Sequence, residues 1–567
     1  MQFGRRAQPQ WQELETAVLI VGGGPVGLLS SILLARCGIR STVIERYPTR
    51  RGQPKSHVMN PRSMEILRQA GLDTQALRRL GTPPDEGHVV RFVTSVAGLE
   101  LGTLPYDKQD ESALEFTPEP LFHLSQPLLE DFLYEAAIQT GLISVWKDLK
   151  WEGCASSAGG LESQVTHTKT GAKVNWKSKY LLCCDGSRAT SRELLSIPFG
   201  APAEEGVEEQ LFHFVSVHID LDLRHLKPAV LWWIFSLKQK GRTFICYDRG
   251  SSWVYCISYD PATQSREIFT DAYCRQQIDE AIGEQVTYNI LSTTFWSTGI
   301  QVAQAYQSPE YTGAFVLGDA AHIFPPSGGL GINTGFADAH NLIWKIDAVQ
   351  KGWADAAVLG TYSQERRPVA LANGRFSTAN WLKMLALARE IHGPDLQHPE
   401  DPEERIKDPA LRRAITEAIK LNHDHFNSVK LQIGYVYNRE IPAVPDASIY
   451  EPVFETGARL PHMWLNLNGS TVSSLDLVDG KSFVVIASAG FVAPPLPWNS
   501  VGTRQIPVRI YQAVIDFSFV DSHWAESTAF KDTTGAWVIR PDQHILNSIA
   551  DYKELETAIN AYLGQSQ

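Results

Sequence analysis

Three glycines, Gly22, Gly24 and Gly27, stand in G-x-G-x-x-G spacing between an apolar run and a helical stretch. The first glycine permits a tight turn, the second lets a pyrophosphate approach the backbone, and the third lets helix and strand lie close. Glu45 closes the next apolar run about twenty residues on, where a carboxylate accepts from a ribose hydroxyl. An acidic residue there suits the adenosine ribose of FAD or NAD and disfavours a 2′-phosphate, so this site does not suit NADPH. A second chemistry-bearing stretch reads GAFVLGDAAHIFPPSGGLGINTGFADAHNLIWK, from Gly313 to Lys345. Asp319 follows an apolar strand, where its carboxylate can meet a ribityl hydroxyl. Beyond a Pro-Pro turn, a glycine-rich segment ending in Gly331, Ile332 and Asn333 opens a helix. Its backbone N–H groups and positive dipole end favour an anionic ligand edge, such as reduced flavin near N1 and the C2 carbonyl.

The elements that must carry these residues are legible. TAVLIV, PVGLLSSILLARCG and STVIE alternate as strand, helix and strand, a βαβ unit with a parallel sheet. From Ala201 to Tyr306 the chain turns β-branched and aromatic between polar turns, which predicts an antiparallel sheet with one face over something large and apolar. Only one of the adjacent Trp232 and Trp233 can face that side. A helical, charged stretch follows from Thr334 to Asn438. The tail from Pro442 reads as a separate unit, with strands at SFVVIAS and PVRIYQA, a hairpin at GAWVIRPDQHIL and a last helix, DYKELETAINAYLG.

Composition narrows the function classes. With 51 Lys+Arg against 63 Asp+Glu, the 567-residue chain has a net charge of −12 and lacks the basic balance of a general nucleic-acid binder. Seven cysteines form neither a disulfide framework nor any CxxC, and adjacent Cys183 and Cys184 could not clamp one metal from a strand; no metal site is expected. The opening MQFGRRAQPQWQELE has no secretory pattern, and the apolar stretch from Phe483 to Trp498 is broken by Gly and Pro. A cytoplasmic protein without a membrane span is expected.

Three segments in order, GGGPVG, CCDGSRATSRELL (Cys183 to Leu195) and GDAAHIFPPSGGLGINTG, resemble the class A flavoprotein aromatic monooxygenases, the family with the p-hydroxybenzoate hydroxylase fold. PKSHVMNPRSMEIL, HFNSVKLQIGYVYNR and GARLPHMWL are similar to its phenol and chlorophenol monooxygenases and aromatic polyketide hydroxylases. The resemblance implies an α/β chain with a Rossmann-type FAD-binding domain in two parts (1–200 and 307–440, the second with the helical region), an antiparallel substrate-binding sheet (201–306) and a thioredoxin-like domain (441–567). Without CxxC, that last domain would be a structural or dimer-contact module, so a homodimer is allowed. By the same resemblance, Glu45 and Arg46 hold the adenosine ribose, Gln126 the phosphate side and Asp319 the pyrophosphate–ribityl region. Gly331, Ile332 and Asn333 face the isoalloxazine, and Asp185 with Arg188 touches flavin and nicotinamide nucleotide. Lys55 departs from the family, where arginine is frequent.

The implied reaction reduces FAD with NADPH or NADH as co-substrate, without a second dinucleotide fold. Oxygen then forms a C4a-hydroperoxide that hydroxylates a phenolic or polycyclic aromatic small molecule. Baeyer–Villiger oxidation of a polyketide ketone or quinone would use the same motifs. His57 is the first candidate for the base that deprotonates the phenol; Tyr247 and Tyr255 are weaker candidates. A hydrogen-bonded packing role stands beside the catalytic one for each. His322 reads as structural, and Glu365-Arg366-Arg367-Pro368 as an ion-pair segment.

Overall fold

The structure is a computed structural model that describes residues 14–564, apart from 50–51, 107–108, 237, 395, 397–399, 440, 442–445, 494–499 and 532–533. Most of the opening segment inspected for a leader, and the end of the apolar stretch before Trp498, lie outside the described residues.

The βαβ start forms as strand Leu14–Val21, helix Pro25–Arg36 and strand Ser41–Glu45. Pro25 sits in the first helical turn, where its missing N–H has no intrahelical acceptor to lose. The parallel sheet runs Ile143–Lys147, Ser41–Glu45, Leu14–Val21, Lys173–Cys183. The last strand pairs in its first half with antiparallel Gly160–His167 and at its end with parallel Ala314–Val316. The turns at 22–27, 184–188 and 317–320 therefore leave the carboxyl ends of three neighbouring strands, the edge at which open α/β sheets bind ligands.

The aromatic segments form a seven-stranded sheet in the order Tyr288–Thr298, Phe212–Leu221, Ser252–Tyr259, Lys240–Asp248, Leu231–Phe235, Val89–Val93, Glu100–Pro105. Its last two strands come from before residue 201, and Leu231–Phe235 runs parallel to Val89–Val93. The sheet is thus wider than the aromatic stretch that announced it and not wholly antiparallel. A five-residue strand paired across more than a hundred residues leaves little local signal. Helix Asp271–Ile282 covers one face, packing on Trp232, Trp253 and Tyr255. The 32-residue helix Thr361–His392 covers the other, where Trp233, Phe235, Trp381 and Met384 meet. The tryptophan pair is so divided, with Trp233 on the side that faces the glycine-rich loop.

The tail forms a mixed sheet, with Phe483–Ala487 parallel to Ile506–Gln512 and antiparallel to Ala536–Ile539, which turns back into Ile545–Ile549 before helix Lys553–Tyr562. It shares one apolar core with the nucleotide sheet. The seam between them also holds a buried charge network. Glu365 accepts from both Arg540 Nη atoms (2.6 and 2.9 Å), Lys345 Nζ (2.8 Å), Asn341 Nδ2 (2.7 Å) and Tyr562 Oη (2.9 Å). Burial by itself would raise the Glu365 carboxyl, but Arg540 and Lys345 hold it down to about 2. The segment from Glu365 to Arg367 is indeed an ion-pair network, since Arg366 meets Asp338 and Arg367 meets Glu205.

Removing one partner of such a network leaves another charge buried and unmatched. Arg540→Met, which strips Glu365 and Asp542 of their guanidinium, is expected to destabilise the chain by about 3–5 kcal/mol in urea unfolding.

Candidate active site

Each glycine of the first motif does a different steric job. Gly22 has φ +107°, and a Cβ there would stand 2.3 Å from the Cys184 carbonyl oxygen of the neighbouring strand. A Cβ on Gly27 would stand 2.1 Å from the Gly22 carbonyl oxygen, so helix and turn touch only because position 27 has no Cβ. Gly24, by contrast, has nothing within 4 Å of its Cβ position, which opens where a pyrophosphate must approach. Glu45 is oriented by two backbone amides: Gly23 N–H donates to Oε2 (3.0 Å) and Tyr47 N–H to Oε1 (2.9 Å). The remaining lone pairs of both oxygens stay available for ribose hydroxyls. Arg46, half-buried beside it, lies with its guanidinium 5.0 Å from the Tyr47 ring.

The second loop is cut to the same pattern. Asp319 is exposed in the single turn Gly318–Ala320, while Asp338 beneath it is fully buried. Asp338 accepts from Gly318 N–H (3.2 Å), Arg366 Nε (2.9 Å) and His322 Nε2 (2.8 Å), which gives His322 its structural role. Helix Gly331–Gln350 then begins with three N–H groups that have no carbonyl one turn before them. The Cβ position of Gly331 is open, as at Gly24.

Several of the expected contact residues already hold partners within the protein. The Asn333 side chain does not face the cleft: its Oδ1 accepts from Asn60 N–H (3.0 Å) and its Nδ2 donates to the Val58 (3.0 Å) and Gly329 (2.6 Å) carbonyls. Only its backbone N–H points a donor along the helix start, with those of Gly331 and Ile332. Gln126, at the start of helix Gln126–Gln139, donates to Glu130 Oε1 at 2.7 Å along its own helix. Asp185 accepts from the Ser191 hydroxyl at 2.7 Å, and burial raises its carboxyl above the usual range; Arg188 and Lys55 are exposed. Tyr255 is excluded as a base, because its hydroxyl donates to Gln239 on the face covered by helix Asp271–Ile282. Arg192, which sequence reasoning missed, donates to the Ala320 and Ser187 carbonyls (3.1 and 3.0 Å) and ties two cofactor-edge turns together. Its place inside the motif from Cys183 to Leu195 was the one signal that pointed to it.

His57 and Tyr247, read from segments far apart, do meet. A short strand pair, Val58–Met59 with Phe122–His123, sets His57 beside His123 with their Nδ1 atoms 3.1 Å apart. The Tyr247 ring lies edge-on to His57 at 5.6 Å between centroids, and Tyr106 closes on His123 at 4.6 Å. Burial lowers His57 to about 4 and raises Tyr247 well above the usual phenol range, so both are neutral at pH 7. No group of three or more His, Cys, Asp or Glu among the described residues could hold a metal.

The cradle therefore fits a flavin dinucleotide: two open glycine positions, an oriented carboxylate, and a helix start aimed at the same sheet edge. Residues 15–377 match the FAD binding domain family, and residues 455–566 match the aromatic-ring hydroxylase C-terminal family. The chain is 30% identical over 550 residues to a putative polyketide hydroxylase of Streptomyces halstedii, covering 93% of this chain and 92% of that one. It is 28% identical over 585 residues to the 2,4-dichlorophenol 6-monooxygenase of Cupriavidus pinatubonensis, covering 94% and 93%. Its structure resembles that of the flavin-dependent monooxygenase PieE in complex with FAD and substrate, with a TM-score of 0.85, 25% identity and coverage of 98% of this chain and 100% of that one. The chain belongs to the FAD-dependent aromatic monooxygenases, and FAD is its cofactor.

Gly24→Ala places a methyl in open space, so it should leave the melting temperature of the apoprotein unchanged while weakening FAD binding at least about tenfold, read by flavin fluorescence. The buried histidines make a second prediction. His57, His392, His462 and His544 titrate at about 4 and His425 at about 3, all lowered by burial. Between those values and the ordinary histidine range near 6.5 the unfolded chain binds more protons, so stability is lost as pH falls through that window. Urea unfolding at pH 5 and 6 should show His57→Gln with a slope shallower by about 1.4 kcal/mol per pH unit.

Proposed function

We propose that this chain uses NAD(P)H and dioxygen to hydroxylate a phenolic or polycyclic aromatic ring of the polyketide type. The observation that carries the reading is the meeting of the flavin cradle with an aromatic sheet face that also holds the His57, His123 and Tyr247 cluster. FAD, when bound, takes a hydride from the nicotinamide nucleotide and supplies activated oxygen. The chain's own residues do the rest. The N–H groups of Gly331, Ile332 and Asn333 hold the anionic edge of the isoalloxazine, while Glu45, Arg46 and Asp319 hold the polar remainder. Phe214, stacked on Trp296 at 4.4 Å, and Trp233 line a face on which an aromatic ring lies flat and from which water is excluded.

His57 Nδ1 is engaged by His123, which leaves Nε2 to accept the phenolic proton. A neutral imidazole with a depressed pKa is a weak base in the resting site, so it works as an acceptor that His123 supports rather than as a strong base. We also read the tail from residue 441 as thioredoxin-like and without redox chemistry, since all seven cysteines are free and precede it. Those free thiols support a reducing compartment such as the cytoplasm. No helix among the described residues is long and apolar enough to cross a membrane.

The test is anaerobic mixing of the FAD-loaded protein with NADPH, with and without phenols, followed by turnover under labelled dioxygen. Flavin bleaching that a phenol accelerates, and label found in a phenolic product, are expected. Label in an ester would overturn hydroxylation in favour of ring-opening oxidation, and flavin that no nicotinamide nucleotide reduces would overturn the reading altogether.

A further inference from the structure

Helix Thr361–His392 carries a buried polar stripe that the fold satisfies only in part. Asn373, Ser377 and Asn380, spaced by four and three, fall on one helix face and are buried (Asn380 is 0% exposed). Asn373 donates to the Thr334 hydroxyl at 2.8 Å, so this face lies over the start of the glycine-rich helix. Asn380 Nδ2 would stand 3.7 Å from a Cβ placed on Gly328, beside the loop that precedes it. Both amide atoms of Asn380 lack a hydrogen-bond partner, as do Trp233 Nε1 and His425 Nδ1, on side chains that are also buried.

Two of these groups, Trp233 and His425, lie along one wall, beside the helix that carries Asn380. Trp381, the neighbour of Asn380, meets the Trp233 ring at 6.4 Å; Trp233 meets His425 at 6.3 Å. His425 stacks on Phe426, which meets Tyr106, and Tyr106 adjoins the His57 and His123 pair. Trp233, His425 and the proposed proton acceptor therefore belong to one aromatic lining, while Asn380 sits at the glycine-rich loop. A buried amide left unpaired is costly, and native chains keep such groups where something completes them.

We infer that Asn380, with Trp233 and His425, reads the oxygen substituents of the substrate and makes the cleft selective for a polyoxygenated polycyclic ring over a phenol with one oxygen. Asn380 offers a donor and an acceptor side by side, which matches a ring edge with a hydroxyl next to a second hydroxyl or a carbonyl. The Trp233 indole donates only, and so meets a carbonyl or ether oxygen. A halophenol has one oxygen and leaves most of these groups unpaired, a mismatch that discriminates more strongly than a missing methylene does. The inference rests on the reading above that an aromatic substrate occupies this cleft.

The experiment measures dissociation constants of oxidised, FAD-loaded protein for alizarin, a dihydroxyanthraquinone, and for naphthol, from the perturbed flavin spectrum. Asn380→Leu is expected to weaken alizarin about tenfold or more and to leave naphthol within about twofold, with the melting temperature unchanged or raised. Trp233→Phe should show the same selective loss. Equal weakening of both ligands would assign Asn380 to packing and overturn the inference; no weakening of either would mean internal water completes the amide, and would overturn it too. If the leucine variant does not fold, Asn380→Asp, which keeps the shape and removes the donor, must show the selective loss. Binding is read without turnover, so the two proposals fail separately. Alizarin bound through Asn380 without any hydroxylation sinks the function alone, whereas hydroxylation with an unchanged Asn380→Leu profile sinks this inference alone.

Discussion

The helix Gly331–Gln350 is buried from Asn333 through Ala348, yet it carries Asp338, His340, Asn341, Lys345 and Asp347 in that interval. A helix so placed is stable only if these groups find partners, and the partners come from nearly every other part of the chain. Asp338 draws in the turn at Gly318, His322 and Arg366. Asn341 and Lys345 share Glu365, which Arg540 of the tail also holds. His340 lies against Arg62 and Gln69 of helix Pro61–Gln69. Each such match is expensive to break on one side only, because the other charge stays in a low-dielectric interior.

This matching explains why the tail is integral although it stands far from the chemistry. Arg62 donates to the Gln543 side chain and the Asp542 carbonyl, and Glu65 pairs with Arg459 at 2.9 Å. The tail thus braces the same helix whose other end opens at the glycine-rich loop. The N-terminus of that helix keeps its N–H groups unspent, while the buried length behind it fixes their direction. An anion-binding helix start is useful only if it does not move, and here the rigidity is supplied from its carboxyl half.

The aromatic sheet shows how alternation divides roles. Trp232 and Tyr255 face helix Asp271–Ile282, whereas Trp233 and Phe214 face helix Thr361–His392 and Tyr247 faces His57. Adjacent residues on a strand point to opposite sides, so one tryptophan became core and the other lining. The choice between the two faces was not visible in the alternation itself, because both faces of this sheet are covered by helices and both read as apolar.

The glycine motif, the acidic strand end, the second glycine-rich loop and the family were all present in local order along the chain. Each depends on a few residues close together, where backbone conformation and strand–helix alternation leave a direct imprint. That is why Gly22, Gly24, Gly27 and Glu45 fell into place with their expected geometry. What pairing across hundreds of residues decides was not legible. Asn333 had the right type and position for a ligand, but neighbouring backbone took up its side-chain polar atoms, and the Gln126 amide nitrogen turned to Glu130 on its own helix. The His57 and His123 contact depends on a two-residue strand pair, the Asp338 hub on three separate elements, and the unpaired amide of Asn380 on a lack of hydrogen-bond partners that only a folded chain can reveal. Residue type sets what a side chain can bind; tertiary structure decides which of those bonds are already taken.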